Sequence, residues 1–330
     1  MRERMKLIGE FLKERKEVGK SVDALVLGLS FFYIVLSSLS IITLWGKGAV
    51  MFAPDYVLFL LVAIATFLGR NKYAFLKDFG PAILLIFAYD AMRGYADEMA
   101  GAGAVNFNFP LQMDLLIGGG NLPNAIVQHA VDSNGFRPLF GIFTVVIYSL
   151  HFTAPLVFGF MLWLKSRGDY LKYMAAMVLL SYAALATFWL FPVAPPWMAG
   201  EKGLINIENQ FTLLTKEYGL YFMPTIYQFV NANPVAAIPS LHFGYPFLAF
   251  LYAVLSRRKG LALFFGIYTL LVSVAVVYLG EHYVIDLVIG GIYAFAAMLI
   301  IQAGFSWLER GKKQVSAPAQ TSSARLPESR

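Results

Sequence analysis

Long apolar runs recur along the chain, broken by short polar turns and two longer polar segments. Each is a candidate to cross a hydrocarbon core about 30 Å thick at about 1.5 Å per helical residue. They fall at about 22 to 46, 52 to 69, 79 to 93, 138 to 164, 170 to 193, 240 to 256, 260 to 280 and 282 to 308. The pattern predicts an all-α fold, a polytopic integral membrane helix bundle of eight spans. The third run is the shortest and ends in Asp90 and Arg93, so a re-entrant or half-buried helix there would change the count. The first run is too long for a signal-peptide core, and no small-x-small cleavage site follows it.

Composition agrees with this pattern. The 330 residues are 58% hydrophobic and 14% charged, whereas a soluble domain is about a quarter charged, so a water-soluble enzyme is not expected. With no cysteine, disulfides, Cys-ligated zinc and thiol catalysis are ruled out. The net charge of +6 could suggest nucleic acid, but its distribution reports membrane topology instead. Of the 26 Lys and Arg residues, 21 fall on the side of the N-terminus when sides alternate across eight spans. Basic residues accumulate on the cytoplasmic side, so both termini are expected there and no nucleic-acid partner is expected.

Residues 1–21 read as a cytoplasmic amphipathic helix, with Met5, Ile8, Phe11 and Leu12 on one face against the anionic leaflet. Residues 22–310 form the membrane-embedded domain, and 311–330, rich in Ser, Ala and Pro, a disordered cytoplasmic tail. The chain shows no 20 to 50 residue repeat, so the inverted-repeat signature of many transporters is missing.

Two longer segments, about 94–137 and 194–239, fall on the outer side, and function is expected there. Prolines at 192, 195 and 196 forbid a continuing helix, so the fifth span stops near Pro192. Ser240, after Pro239, is placed to cap the sixth span, and His242 lies in its first turn. Forty residues later come His282, Tyr283 and Asp286, at the start of the eighth span. One span inward, a basic turn and one span back return both histidines to the same face. His282 and Asp286 are four apart, so the carboxylate can accept from one ring nitrogen and leave the other toward a substrate.

These groups suit phosphoryl transfer through histidine. A neutral imidazole oriented by a carboxylate is a nucleophile, and a second imidazole can protonate the leaving oxygen. Free amides at helix N-termini favour an anionic phosphate, and no metal or other cofactor is expected. A proton-relay transporter would place ionisable groups at mid-span rather than at one edge. A metal hydrolase built on His242, His282 and Asp286 would be inactivated by chelators. His129 and His151, each taken alone, read as structural residues.

The sequences Pro239-Ser240-Leu241-His242 with Gly244 and Pro246, and Gly280-Glu281-His282-Tyr283-Val284-Ile285-Asp286 with Gly290, resemble known motifs. They are similar to the second and third signatures of the type 2 phosphatidic acid phosphatase superfamily, in wording nearest the branch that includes fungal inositol phosphorylceramide synthase. Ala194-Pro195-Pro196-Trp197 and Arg93-Gly94-x-Ala96-Asp97 are similar to the same branch, so the resemblance runs over about 90–300. It implies that His282 attacks phosphorus and becomes a phosphohistidine, that Asp286 orients it, that His242 is general acid and base, and that Ser240 binds phosphate oxygens.

The chain also departs from that family. Classical members carry a Lys and an Arg-Pro pair before the second motif and an Arg six residues before the nucleophile, where this chain has Val276. The charge on the transferring phosphoryl still needs a cation. Among the five outer basic residues Arg93 is the expected one, with Arg137 or Lys202 behind it. Arg137-Pro138 mimics the missing pair but precedes the wrong span. Tyr283, Trp197 and Asp97 are expected to line the pocket. The expected activity is a membrane lipid phosphotransferase with its site on the extracytoplasmic side of the plasma membrane, moving a phospho-headgroup to a lipid or polyol hydroxyl. The alternative is a phosphatase acting on phosphatidate or a polyprenyl diphosphate.

Overall fold

The computed structural model describes residues 49–51, 72–93, 105–151, 153–218, 220–222 and 234–316. The first two expected spans, the amphipathic segment 1–21 and Asp97 lie outside these. In chain order the elements are β1 (Ala49–Met51), α1 (Lys72–Arg93), α2 (Asn108–Ile117), α3 (Pro123–Ser133), α4 (Arg137–Ser149), α5 (Thr153–Lys165), α6 (Arg167–Leu190) and α7 (Pro196–Glu201). They continue as α8 (Gln210–Glu217), β2 (Leu220–Phe222), α9 (Leu241–Leu255), α10 (Lys259–Tyr278) and α11 (Val284–Ser316).

Among the described residues three helices are long and apolar enough to cross a membrane: α6, α10 and α11 as far as Gly311. α9 is apolar but has only 15 residues, against 20 in α10. Both leave the turn at Ser256–Arg258, so α9 falls about 8 Å short of the far end of α10 at 1.5 Å per residue.

The described residues are overwhelmingly helical, as expected, with one short parallel pairing of β1 and β2 in which Val50 lies opposite Tyr221. The expected single span at 138–164 is two helices, α4 and α5, bent by 45° at their break. Pro155 accounts for the bend: it has no N–H and its ring collides with the carbonyl four residues earlier, so it is tolerated only in the first turn, where α5 places it. At the break two carbonyls that keep short-range main-chain donors, Leu150 N–H on Ile147 O and His151 N–H on Tyr148 O, each gain a side-chain donor as well. Ile147 O accepts from the Tyr268 hydroxyl at 3.0 Å, and Tyr148 O from the His151 ring at 2.6 Å. Helix α11 continues to Ser316 through Lys312, Lys313 and Gln314, which favour helix.

The core is aromatic. Phe79, Phe160, Trp163 and Tyr170 pack edge and face between α1, α5 and α6. Here the Asp78 carboxylate accepts from the Trp163 indole at 3.0 Å and the Arg167 guanidinium at 2.7 Å. Those bonds hold the Asp78 carboxyl below its ordinary range. Lys172 meets Glu309 at 3.7 Å, and the Tyr252 hydroxyl donates to Lys172 O at 3.0 Å. These contacts gather the basic ends of α1, α6, α9 and α11 at one end of the bundle. At the other end Val193 bridges to Asn106 on one side and Ala236 on the other.

Candidate active site

Ser240 caps α9, its hydroxyl accepting from Phe243 N–H at 3.4 Å. Its own N–H donates to the Asp286 carbonyl at 3.0 Å, which ties the start of α9 to the start of α11. The two helices meet because Gly290 has no side chain: a Cβ there would run into the Ser240 carbonyl oxygen. Gly280 turns the chain between α10 and α11 with φ 78°, and a Cβ there would lie 2.7 Å from Glu208 O.

This frame brings His242 and His282 together. His242 Nδ1 lies 2.9 Å from His282 Nε2. The other His282 nitrogen, Nδ1, lies 3.2 Å from Asp286 Oδ2, which also accepts from Tyr283 N–H at 2.9 Å. A carboxylate accepts, so the His282 proton sits on Nδ1 and the lone pair of Nε2 faces His242. His282 is 4% exposed and Asp286 fully buried. Asp286 Oδ1 has no partner among the described residues.

The segment 105–137 supports this turn with three buried polar side chains that bond main-chain atoms. Asp114, fully buried, accepts from Val284 N–H at 2.8 Å and Ile285 N–H at 2.9 Å, closing the N-terminus of α11. Burial pushes its carboxyl above the ordinary range, outweighing the two amide bonds. Asn124 donates to Val277 O at 2.8 Å and His282 O at 3.0 Å. Gln128 donates to Tyr278 O at 2.9 Å and Glu208 O at 3.0 Å. Sequence reading passed over all three. A lone Asp within the apolar stretch Leu111–Ile117 was the available signal.

Free amides expected at the α11 terminus are therefore taken: Tyr283 N–H by Asp286, Val284 and Ile285 N–H by Asp114. An anion at this site would meet side chains and the start of α9 instead. Half-buried Glu281, beside His282, has its carboxyl pushed up to about 7 by burial, against the opposing pull of His282.

The remaining expected site residues are placed as follows. Arg93, at the end of α1, is half-buried and its charge reaches both His151 and His242. Arg137 opens α4 and pairs with Glu217 at 3.4 Å and Asp132 at 3.8 Å. Lys202 lies over the Phe107 ring at 4.4 Å. Trp197 N–H donates to Gly280 O at 3.0 Å, so the Pro-Pro-Trp stretch braces the turn before His282. Tyr283 is fully buried, with its hydroxyl unpartnered among the described residues. His129 is exposed on α3. His151, set aside as a lone histidine, lies with its ring 4.1 Å from that of His242.

Comparison with known proteins converges on the same stretch. A family model described as PAP2 superfamily matches residues 123–300. A curated protein named phosphoinositol dihydroceramide synthase, from Bacteroides thetaiotaomicron, is 29% identical over 172 residues. The match covers 49% of this chain and 56% of that protein, so the chain spans about half the length of the curated relative it matches. No solved structure matches.

Proposed function

The chain belongs to the PAP2 superfamily, and from that premise we propose that it is a membrane lipid phosphotransferase working through a phosphohistidine on His282. The observation that carries the reading is the relay Asp286, His282, His242, closed by contacts of 3.2 and 2.9 Å. The Nε2 lone pair of His282 attacks phosphorus, and the phosphorus–oxygen bond to the leaving alcohol breaks. His242 supplies the proton that alcohol needs. An acceptor hydroxyl then gives its proton to His242 as its oxygen attacks phosphorus, and the nitrogen–phosphorus electron pair returns to His282. Asp286 holds the ring in the required tautomer and stabilises the positive charge that it develops.

The two imidazoles are hydrogen-bonded, so a phosphoryl group cannot lie between them as they stand. Attack from about 3 Å on one side and proton donation to the leaving oxygen on the other need nitrogens about 6 Å apart. One ring withdraws as substrate binds. His282 is tied by Asp286 at the ring and by Asn124 at its carbonyl, whereas His242 is held largely by ring faces. Directional bonds resist displacement and face contacts permit sliding, so His242 is the ring that moves. Arg93 serves as the cation for the equatorial oxygens, with the Ser240 hydroxyl beside it.

Transfer rather than hydrolysis is favoured by the relative's name, a synthase of phosphoinositol dihydroceramide. The donor is a phospholipid whose phospho-headgroup moves to a lipid or polyol hydroxyl. The full architecture we assign is eight spans with both termini cytoplasmic, residues 22–310 in the membrane, 1–21 on its surface and 311–330 as a tail. The gathering of basic helix ends opposite the histidines supports an extracytoplasmic site in the plasma membrane. Purified protein is to be incubated with labelled phospholipid and labelled phosphatidate, with and without ceramide-type or polyol acceptors. Acceptor-dependent phospho-product is expected; inorganic phosphate alone, indifferent to acceptor, would make it a phosphatase.

A further inference from the structure

The break between α4 and α5 presents two aromatic rings to the site. Tyr148 stacks on His242 with centroids 4.5 Å apart and planes at 23°, and is itself backed by Phe211 at 5.0 Å. His151 meets the same imidazole at 4.1 Å with planes at 48°. The two contacts converge on one ring, and both come from the last turn of α4 and the residues just after it. Neither belongs to the motifs around His242 and His282.

We propose that this helix break is a working part of the site: Tyr148 and His151 form a clamp on which the His242 ring is seated and along which it shifts, so that its proton is aimed at the leaving oxygen. His151 is on this account a positioning residue. The proposal rests on the reading of His242 as general acid, and refines how that acid is held.

The local chemistry supports it. A carbonyl only accepts, so His151 Nδ1 donates to Tyr148 O at 2.6 Å, and the neutral ring keeps its lone pair on Nε2. That bond fixes the His151 ring plane and so the surface offered to His242. A proton donor for the leaving oxygen becomes cationic when loaded. The face of a tyrosine and a neutral imidazole both accommodate that cation, whereas a second charge would repel it. On its other side His242 faces His282, and the Arg93 charge reaches it from α1. The clamp thus opposes displacement of a cationic ring by its cationic neighbour. A continuous helix through 138–164 would direct these side chains elsewhere, so the bend set by Pro155 is what delivers them.

A merely structural role is the competing account, because the His151 ring also bonds Tyr148 O, a carbonyl at the break that the His151 N–H reaches as well. His151→Gln separates the two, since an amide N–H caps the carbonyl and lacks the ring. Tyr148→Leu removes the other face of the clamp without altering the cap. Each variant is to be assayed on two substrates, a lipid phosphate that leaves as a glycerol-type alcohol and an aryl phosphate that leaves as para-nitrophenolate, which needs little protonation. Mispositioning an acid slows the first substrate selectively. The expected result is a kcat about 10- to 100-fold lower on the alkyl substrate, a near-native kcat on the aryl one, and a melting temperature close to native for His151→Gln. Native rates for His151→Gln on both substrates, or equal losses on both in either variant, would overturn the clamp. His242→Ala is the reference: should its loss be equal on both substrates, the acid assignment itself falls, a result distinct from failure of the clamp.

Discussion

Asp114 closes the N-terminus of the helix that carries Asp286, accepting from Val284 N–H at 2.8 Å across 170 residues of chain. With Ile285 N–H also bound, one buried carboxylate sets the position of the turn from which His282 projects. Asp114→Ala strands two amides in a buried place. A lost cap costs about 1 to 2 kcal/mol and a buried unsatisfied group about 1 to 3. Thermal unfolding in detergent should show a loss of about 2 to 4 kcal/mol, with turnover at least 10-fold down. A variant as stable and active as native would remove Asp114 from the account.

Gly290 and Gly244 lie in the same helix contact but tolerate a methyl group differently. A Cβ at Gly290 runs into the Ser240 carbonyl, which is main chain and cannot rotate away. At Gly244 it meets Leu180 Cδ2 at 3.4 Å, an ordinary contact. Gly290→Ala should therefore push α9 from α11 and lower turnover about 100-fold through misplacement of the histidines. Gly244→Ala should stay within a few-fold of native. Equal turnover in the two variants would contradict this geometry.

The Glu281 carboxyl is pushed from an ordinary 4.5 up to about 7, so the folded protein binds more protons than the unfolded chain between those values. Stability therefore falls as pH rises through that window and levels above it. Melting temperature measured from pH 4.5 to 8 should decline for the native protein and be flatter for Glu281→Gln. An identical slope in both would place the titration elsewhere.

Arg93 and Arg137 are both candidates for the phosphate-binding cation, and the Arg93 charge reaches His151 and His242. Arg137 is engaged by Glu217 and Asp132. Loss of a single group stabilising transition-state charge costs about 100- to 1000-fold in kcat. Arg93→Ala should show that loss, and Arg137→Ala a few-fold change at most. The reverse ranking would move the phosphate-binding role to Arg137.

The histidine pair was legible in the sequence because its signals are local. His282 and Asp286 share a helix face at i and i+4, and the apolar run, basic turn and apolar run between the histidines bring the chain back to one side. The general helical character followed from the apolar runs. What supports the pair was not legible. Asp114, Asn124 and Gln128 bond main-chain atoms 150 or more residues away, and a backbone acceptor leaves no mark in the residue code. His151 was set aside because a histidine taken alone gives no sign of its partner; the end of α4 and the residues just after it bring its ring to His242. The α11 amides show the opposite error, since a helix start was read as open to anions when a distant carboxylate already filled it.

Trapping the covalent intermediate would show directly whether His282 carries the phosphoryl group. Purified protein is to be mixed with labelled phospholipid in the absence of acceptor, quenched, and examined by mass spectrometry for acid-labile phosphate on each histidine. Label is expected on His282, with discharge on adding an acceptor hydroxyl, and none in His282→Ala. Full turnover by His282→Ala, or label carried by another residue, would contradict it.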